Sequence, residues 1–396
     1  MSRLWDKGTP LDAKVLTYTA GDDHELDNRL VPYDIEASIA HAHMLHEANL
    51  LSAQDLAAIS TALLQIGAEH ARGEWRVTLE LEDSQTALEH HLTQKIGAAG
   101  GRLHAGRSRN DQVLAALRLY LRETATRLAR AAEGVAEALD RLSARDGKLA
   151  LPGYTHMQQA MLSSVALWCA GFAAEIRDDA VGLLGALRRI DKNPLGSAAG
   201  YGTPGLPVNR DSTRQRLKFA VVHEPVTAVQ LSRGKAEAQL AFEIALLTQD
   251  LARLAADLLL FYTQEFAFVS LPEDFTTGSS IMPQKRNPDV FELMRGRAAL
   301  AQAALTEILG ITQKLTSGYH RDLQLIKAPL FRSIDACGQT LDILPQALDG
   351  VRFEPQNIQL DPGIHAAEAA NALVAREGIP FREAYRRIAM RFKPAK

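Results

Sequence analysis

Apolar residues recur at helical spacing along most of the chain, and the longest such run follows Asn110. Beyond this residue the apolar side chains step by three or four positions without a break. Charged residues of both signs lie between them, as on a solvent-facing helix surface. The pattern predicts a helix from Asn110 to about Asp146, roughly 55 Å long at 1.5 Å per residue. The apolar positions are Leu114, Leu117, Leu121, Ala125, Leu128, Ala132, Val135, Leu139 and Leu142.

Three further long helices are predicted, at Ser163 to about Ile190, about Val226 to Phe266, and Pro288 to about Leu315. Helical periodicity begins near Tyr33, and the alternation typical of strands is nearly absent. The narrow, near-heptad stripe after Asn110 suits the seam of a helix bundle. We therefore expect an all-α fold with a central bundle of very long helices. Apolar stripes on more than one side of such helices favour an oligomer.

The expected domains are an N-terminal helical domain (1–105), the central long-helix bundle (106–350) and a short C-terminal helical region (351–396). The 396 residues are 46% hydrophobic and carry a formal net charge of -3, which favours neither nucleic acid nor an anionic membrane as partner. The start of the chain lacks the apolar core of a signal peptide. Cys169 and Cys337 match no metal or redox spacing and are expected to be buried thiols. These features favour a cytoplasmic protein.

Four polar segments interrupt the helical pattern, and we expect the chemistry to lie there. The first, GRSRNDQV, precedes the longest predicted helix. Asn110 is a good N-cap, and Asp111 in the first turn complements the helix dipole. Arg107 and Arg109, beside free backbone N–H groups, could hold a carboxylate or a phosphate. The alternative is a simple helix cap with solvated arginines.

The second segment, PGYTHMQQ, separates two long predicted helices. Pro152 and Gly153 predict a turn that leaves Thr155 and His156 at the start of the next helix. A histidine can serve as a general acid near neutral pH. A lone histidine in a turn is more often structural, and this alternative stays open.

The third segment, GSSIMPQKRNP, begins at Gly278. Asn287 and Pro288 are typical of the N-cap and first position of a new helix. Lys285 adds a positive charge beside that helix end, where it could hold a carboxylate whose negative charge grows during a reaction. The serine pair that begins at Ser279 lies on a segment able to close over a ligand. The alternative is a plain linker.

The fourth segment, SGYHRDLQLIK, follows the next long predicted helix. Tyr319, Gln324 and Lys327 could give a polar ligand hydrogen bonds and a charge, although an ordinary loop is an equal alternative. No metal site is predicted, because His41 and His43 point to different sides of a helix. The glycine-rich segment NPLGSAAGYGTPG follows no predicted strand, so a turn is preferred to a dinucleotide-binding loop.

Taken together, the four segments resemble the signature regions of the fumarase/aspartase superfamily. GSSIMPQKRNP is similar to the signature of the superfamily, whereas GRSRNDQ, GYTHMQ and YHRDLQ resemble the argininosuccinate lyase family in particular. The resemblance extends from about Tyr33 to Tyr385. It implies a homotetramer around a central helix bundle, with each active site built from three chains. It also implies reversible elimination of argininosuccinate to arginine and fumarate, without a metal or an organic cofactor.

The resemblance also implies roles for individual residues. Ser279 would be the base, with Lys285 stabilising its deprotonated form. Lys285 and Asn287 would hold the developing dianion. His156 would protonate the leaving guanidino nitrogen, oriented by Glu292 of another chain. The remaining substrate-binding residues implied by the resemblance are Ser108, Arg109, Asn110, Thr155, Tyr319, Gln324 and Lys327.

Several segments depart from the usual pattern of the family. They are Trp5–Gly8, Met157–Leu162, Ser232–Lys235 and Leu325–Ile326, and the chain ends soon after PFREAY. The changes spare the elimination residues and bear on the amino-acid end of the substrate, where an arginine contact would be lost or shifted. Two alternatives remain open, namely another fumarate-releasing lyase of the adenylosuccinate type and a catalytically silent structural homologue. GRSRND argues against the first, and the intact set of elimination residues argues against the second.

Overall fold

The computed structural model describes residues 12–391 and is dominated by α-helices. The departure at Trp5–Gly8 lies outside this range. In chain order the helices are α1 (Ala13–Ala20), α2 (Asp23–Leu26), α3 (Val31–Glu47), α4 (Ala53–Ala71), α5 (Ser84–Ile96), α6 (Ala98–Gly101), α7 (Arg109–Asp146), α8 (Val165–Gly185), α9 (Leu187–Ile190), α10 (Arg210–Arg216), α11 (Ala228–Leu231), α12 (Lys235–Tyr262), α13 (Asp289–Thr312), α14 (Lys327–Gly350), α15 (Ala366–Glu377) and α16 (Phe381–Ala389). The predicted all-α class is confirmed.

The strands form three small two-stranded sheets within residues 12–391. They are β1 (Ala150–Thr155) antiparallel to β2 (Gln158–Ser164), β3 (Lys192–Asn193) parallel to β4 (Val221–Val222), and β5 (Val269–Ser270) antiparallel to β6 (Arg352–Phe353). No described helix is both long enough and apolar enough to cross a membrane.

Helix α7 confirms the longest predicted helix and begins one residue earlier than expected. All nine apolar positions of its predicted stripe are buried. Helix α13 begins and ends close to its predicted bounds. The helix predicted from Val226 is instead divided into α11 and α12, because Gly234 adopts a φ of 84° that a helix interior does not allow.

The first of two compact units contains the described part of Met1–Leu128 together with Gly182–Ala245 and Leu300–Asp335. Helices α3, α4 and α5 enclose an apolar cluster that includes Met44, Leu45, Ile59, Leu63 and Ile66. These side chains are fully or almost fully buried. The cluster is a helix-packing core that fixes α3, α4 and α5 against one another.

The second unit contains Ala129–Val181, Leu246–Ala299 and the described part of Ala336–Lys396. Trp168 lies among the rings of Phe172, Phe261 and Phe353 and donates to Asp257 from its indole nitrogen. Helices α15 and α16 share a small apolar cluster near the C-terminus. The three-domain division at 105 and 350 follows from the sequence pattern and stays a prediction.

The prediction that Thr155 and His156 start a helix is wrong. They lie at the tip of the β1–β2 hairpin, where Thr155 pairs with Gln158 across a turn of two residues. His156 and Met157 form this turn with φ values of 53° and 62°. Two successive positive φ values match the twist of hairpin strands, but residues other than glycine and asparagine adopt them rarely. The sequence HM gave no sign of such a turn.

We expect Leu121→Ala to lower the free energy of unfolding by about 2–5 kcal/mol, because it leaves a cavity beside fully buried neighbours in α7. Leu64→Ala on α4 is the control, since Leu64 is 62% exposed and its truncation should cost less than about 0.5 kcal/mol. Urea unfolding followed by circular dichroism measures both. Equal shifts of the two midpoints would contradict the assignment of the α7 stripe to the core.

Candidate active site

A cavity of about 390 Å³ lies in the first unit. It brings together the first and fourth polar segments, which are separated by about two hundred residues along the chain. The predicted substrate-binding residues that line it are Ser108, Arg109, Asn110, Tyr319, Gln324 and Lys327. The predicted grouping of these six side chains is therefore present in the structure of a single chain.

The N-terminus of α7 shapes one side of the cavity. The Ser108 hydroxyl accepts the N–H of Asn110 at 3.3 Å, and Asp111 Oδ1 accepts the N–H of Ser108 at 3.0 Å. This reciprocal arrangement is a capping box. The prediction of Asn110 as N-cap is therefore wrong, because the sequence SRND places a stronger capping pair at Ser108 and Asp111. Asn110 is the second residue of the helix and lines the cavity.

The carboxylate of Asp111 also fixes the neighbouring loop. Its Oδ2 accepts the backbone N–H groups of Gly196 and Ala198, both at 2.9 Å. Burial raises the pKa of Asp111, and the backbone N–H groups that it accepts oppose the shift. The glycine-rich segment is thus a loop attached to the start of α7, in agreement with the preference for a turn.

Arg109 is held by two acidic residues that precede α5. Its guanidinium pairs with Asp83 and lies 3.5 Å from Glu82. Burial lowers the pKa of Arg109, but the carboxylates of Asp83 and Glu82 outweigh burial and raise it. Asp83 also accepts the N–H of Thr86 at 2.8 Å as the N-cap of α5. Arg109 is consequently oriented by the protein before any ligand binds.

Lys327, the first residue of α14, is buried between two aspartates. Its Nζ lies 2.9 Å from Asp23 and 2.5 Å from Asp27. Burial lowers the pKa of Lys327, but Asp27 and Asp23 together raise it. Burial raises the pKa of Asp23 to about 7, with Asp27 adding to the shift and Lys327 opposing it. The cluster keeps Lys327 charged inside the protein.

Asp23 and Asp27 line the cavity but are not among the predicted site residues. Their spacing of four residues is the signal that could have found them, because it places two carboxylates on one face of a helical turn. Gln324 is anchored nearby, with Nε2 donating to the carbonyls of Thr19 and Ala20 at 3.1 and 2.9 Å. Arg233 also lines the cavity, although the sequence marks it only as part of a departure from the family.

The remaining predicted residues lie in the second unit and do not line this cavity. Ser279, Lys285 and Asn287 lie on a loop closed at its base by a bridge between Thr277 and Asn287, with backbone distances of 2.9 and 3.0 Å. The loop from 280 to 286 is exposed. Inside it, the Ser279 hydroxyl accepts the N–H groups of Met282 at 3.2 Å and Ile281 at 3.4 Å.

The prediction of Asn287 as the N-cap of the following helix is wrong by one residue. Helix α13 begins at Asp289, and the carbonyl of Pro288 accepts the N–H groups of Phe291 and Glu292. Asn287 is instead held in the bridge to Thr277, so its backbone cannot serve as the cap. Glu292 is exposed in the first turn of α13.

His156 and Thr155 are exposed at the tip of the β1–β2 hairpin. The hairpin is fixed below its tip by Gln159, which donates to the carbonyl of Gln359 and accepts the N–H of Asp361, both at 2.9 Å. The second unit therefore presents a supported loop and a supported hairpin, each with its predicted proton-transfer residue near the surface.

Comparisons with known proteins identify the family of the chain. The family model described as lyase matches residues 13–302. The argininosuccinate lyase of Sorangium cellulosum (strain So ce56) is 45% identical over 393 residues, which cover 98% of this chain and 90% of that relative. The structure of an EDDS lyase in complex with formate has a TM-score of 0.81 and 27% identity, with 96% of this chain and 76% of that chain covered.

A class II fumarase from Schistosoma mansoni shares the fold, with a TM-score of 0.79 at 16% identity over 96% of this chain and 89% of that one. The helical fold and the lyase match define a member of the fumarase/aspartase superfamily of lyases. Within that class, the chain belongs to the argininosuccinate lyase family.

We expect Lys327→Met to lower the free energy of unfolding by about 3–5 kcal/mol, because it leaves Asp27 buried without its counter-ion. Adding Asp27→Asn should restore part of this loss. Arg332→Met is the control, since Arg332 pairs with Glu307 at the surface and its loss should cost less than about 1 kcal/mol. Chemical denaturation measures the stability of all three variants. A double variant no more stable than Lys327→Met alone would refute the pairing of Lys327 with Asp27.

The raised pKa of Asp23 predicts a pH-dependent stability. Between the ordinary pKa of 3.8 and the folded value of about 7, the folded state binds more protons than the unfolded state. The contribution of Asp23 to stability is therefore present below about pH 4 and is lost as the pH rises towards 7. Asp23→Asn should gain stability relative to the parent protein over this window in denaturation measured at several pH values. A difference in stability between Asp23→Asn and the parent protein that stays constant with pH would contradict the raised pKa of Asp23.

Proposed function

We propose that the protein catalyses the reversible elimination of argininosuccinate to arginine and fumarate. The observation that carries the proposal is the cavity in the first unit, which gathers the side chains of GRSRND and YHRDLQ in one place. Membership of the argininosuccinate lyase family supports the same substrate. Argininosuccinate carries carboxylates, an amino group and a guanidino group, and the cavity offers both acidic and basic side chains to such a ligand.

Ser279 is the proposed base. It removes a proton from the carbon next to a carboxylate of the succinyl group, and the electron pair of the broken C–H bond delocalises into that carboxylate. A serine hydroxyl is a poor base unless its deprotonated form is stabilised. The N–H groups of Ile281 and Met282, which point at its oxygen, favour the charged form. Lys285 and Asn287 would stabilise the dianionic intermediate.

The second step breaks the bond between carbon and the guanidino nitrogen. The electron pair of this bond leaves with the nitrogen, while the intermediate collapses to the double bond of fumarate. His156 donates a proton to the leaving nitrogen, so that arginine leaves with a protonated guanidinium group. Its place at an exposed hairpin tip leaves it accessible to a substrate bound elsewhere. Glu292, exposed on α13, would orient the imidazole from another chain.

We also propose a homotetramer whose active sites combine residues of three chains. In the second unit, His156 is exposed and Ser279 is half-buried on an exposed loop. Six of the proposed binding residues line a cavity of the first unit. Large apolar side chains on the long helices are exposed in one chain, including Leu167 and Val181 on α8 and Leu293 and Leu309 on α13. Contact with further copies would bury them. The free, buried cysteines fit the proposed cytoplasmic location.

The test is the ultraviolet detection of fumarate after mixing purified protein with argininosuccinate. We expect Ser279→Ala to lower kcat by at least about 100-fold, because it removes the base. Ser280→Ala, which changes the neighbouring exposed hydroxyl, is the matched control and should lose less than about 10-fold. Size-exclusion chromatography checks that both variants keep the assembly of the parent.

Three outcomes would overturn parts of the proposal. Fumarate released from adenylosuccinate but not from argininosuccinate would keep the elimination and change the substrate. No fumarate from either compound, with the assembly intact, would favour a silent homologue. Equal losses in Ser279→Ala and Ser280→Ala would remove Ser279 from the role of base.

A further inference from the structure

Arg233 lines the cavity of the first unit and is only 5% exposed. Its Nε and Nη1 atoms are buried and have no hydrogen-bond partner among residues 12–391. Its guanidinium carbon lies 5.8 Å from the centre of the Tyr319 ring. A buried guanidinium normally pairs with an acceptor, because leaving its donors unsatisfied is costly. The protein therefore holds a charged donor group at the cavity, and residues 12–391 supply no acceptor for its Nε and Nη1 atoms.

The backbone around Arg233 is fixed rather than loose. The hydroxyl of Ser232 donates to the carbonyl of Val229 and accepts a hydrogen bond from Arg118, both at 2.7 Å. Gly234 follows with its φ of 84°, and a Cβ atom there would lie 2.4 Å from Thr312 Cγ2. The bend between α11 and α12 therefore requires glycine and holds Arg233 at the cavity.

The other lysine and arginine residues of the cavity all donate to the protein. Arg109 pairs with Asp83, and Lys327 pairs with Asp23 and Asp27. Arg107 donates to the Ser38 hydroxyl at 2.8 Å, and Arg321 donates to the carbonyl of Thr19 at 2.7 Å. Arg233 differs from all of them in having neither an ion pair nor a hydrogen bond to a described residue. It is the cavity's uncommitted positive charge within the described chain.

Glu237 is the acidic group to consider as an internal partner, since it lies one turn further along the chain and is 1% exposed. Both carboxylate oxygens of Glu237 are buried without a hydrogen-bond partner within residues 12–391, so Arg233 makes no hydrogen bond to it there. Arg118 also lies in this region and is a second positive charge. Burial lowers the pKa of Arg118, Glu237 opposes the shift, and Arg233 adds to it. Two arginines and one glutamate leave an excess of positive charge, which suits an anionic ligand.

We propose that Arg233 binds a carboxylate of the substrate in this cavity and thereby sets the affinity for it. The inference rests on the proposed elimination of argininosuccinate. A guanidinium can hold a carboxylate through two parallel N–H···O bonds, which lysine cannot reproduce. The carboxylate belongs either to the amino-acid end, which becomes arginine, or to the succinyl end, which becomes fumarate. Binding of arginine tests the first of these carboxylates, and binding of fumarate tests the second.

The experiment uses the full-length protein and the variants Arg233→Gln and Arg233→Lys. Calorimetry gives the Kd for arginine and for fumarate, and fumarate release gives KM and kcat with argininosuccinate. Loss of a charge-assisted contact should raise KM in Arg233→Gln by roughly 10- to 100-fold. Arg233→Lys should recover part of this loss. Weaker binding of arginine alone assigns the amino-acid carboxylate, and weaker binding of fumarate alone assigns the succinyl end.

Two matched variants keep the inference falsifiable. Arg321→Gln removes one charge from the same cavity, but from an arginine that already donates to Thr19. If Arg321→Gln and Arg233→Gln raise KM equally, the effect comes from the total charge of the cavity, and direct contact between Arg233 and the ligand is refuted. Glu237→Gln tests the internal pair, and the same rise in KM would overturn a role for Arg233 as a ligand contact. Thermal unfolding identifies a variant that fails merely because it is destabilised.

The failure of this inference is distinguishable from failure of the proposed function. If the parent protein releases fumarate from argininosuccinate and Arg233→Gln leaves KM and both Kd values unchanged, only the role of Arg233 is refuted. If the parent protein releases no fumarate, the proposed function fails, and the binding of arginine and fumarate still tests Arg233. A parent protein that binds neither product overturns both.

Discussion

The cavity depends on one buried carboxylate, that of Asp111. One of its oxygens accepts the N–H of Ser108 and so fixes the first turn of α7, while the other accepts two N–H groups of the glycine-rich loop. The side chain is fully buried, so these bonds form away from competing water. Ser108, Arg109 and Asn110 owe their positions to this arrangement, because each lies within three residues of Asp111.

The positive charges around the cavity are also held by fixed partners within the protein. Arg109 and Lys327 would each be costly to bury alone, and each is accompanied by two carboxylates that precede or form short helical segments. A ligand therefore meets donors that are already oriented, which lowers the conformational cost of binding. Arg233 differs, because its buried Nε and Nη1 atoms have no hydrogen-bond partner within residues 12–391. A charge without a partner among residues 12–391 is available to a ligand, whereas the paired charges mainly shape the site.

The sequence predicts the long helices well because burial of a continuous apolar stripe determines them, as the nine buried positions of α7 demonstrate. The hairpin at His156 was not predictable in this way, because its short strands alternate weakly and its turn uses residues that rarely adopt positive φ. The pairing of Lys327 with Asp23 and Asp27 joins positions about three hundred residues apart, so no local pattern reveals it. The interruptions of the helical pattern pointed to Arg109, Tyr319, Gln324 and Lys327, and the resemblance added Ser108 and Asn110 as binding residues at the same cavity.

The loop after Gly278 explains why a long helix is interrupted at this point. Its base is closed by the bridge between Thr277 and Asn287, whereas Ile281 near its middle is 83% exposed. A large apolar side chain so exposed gains from any contact that removes it from water. A continuous helix would pack this segment against its own neighbours and would leave no exposed backbone N–H groups beside Ser279. The proposed chemistry needs a hydroxyl with such donors on an accessible segment, and a loop with a fixed base and an exposed middle provides both.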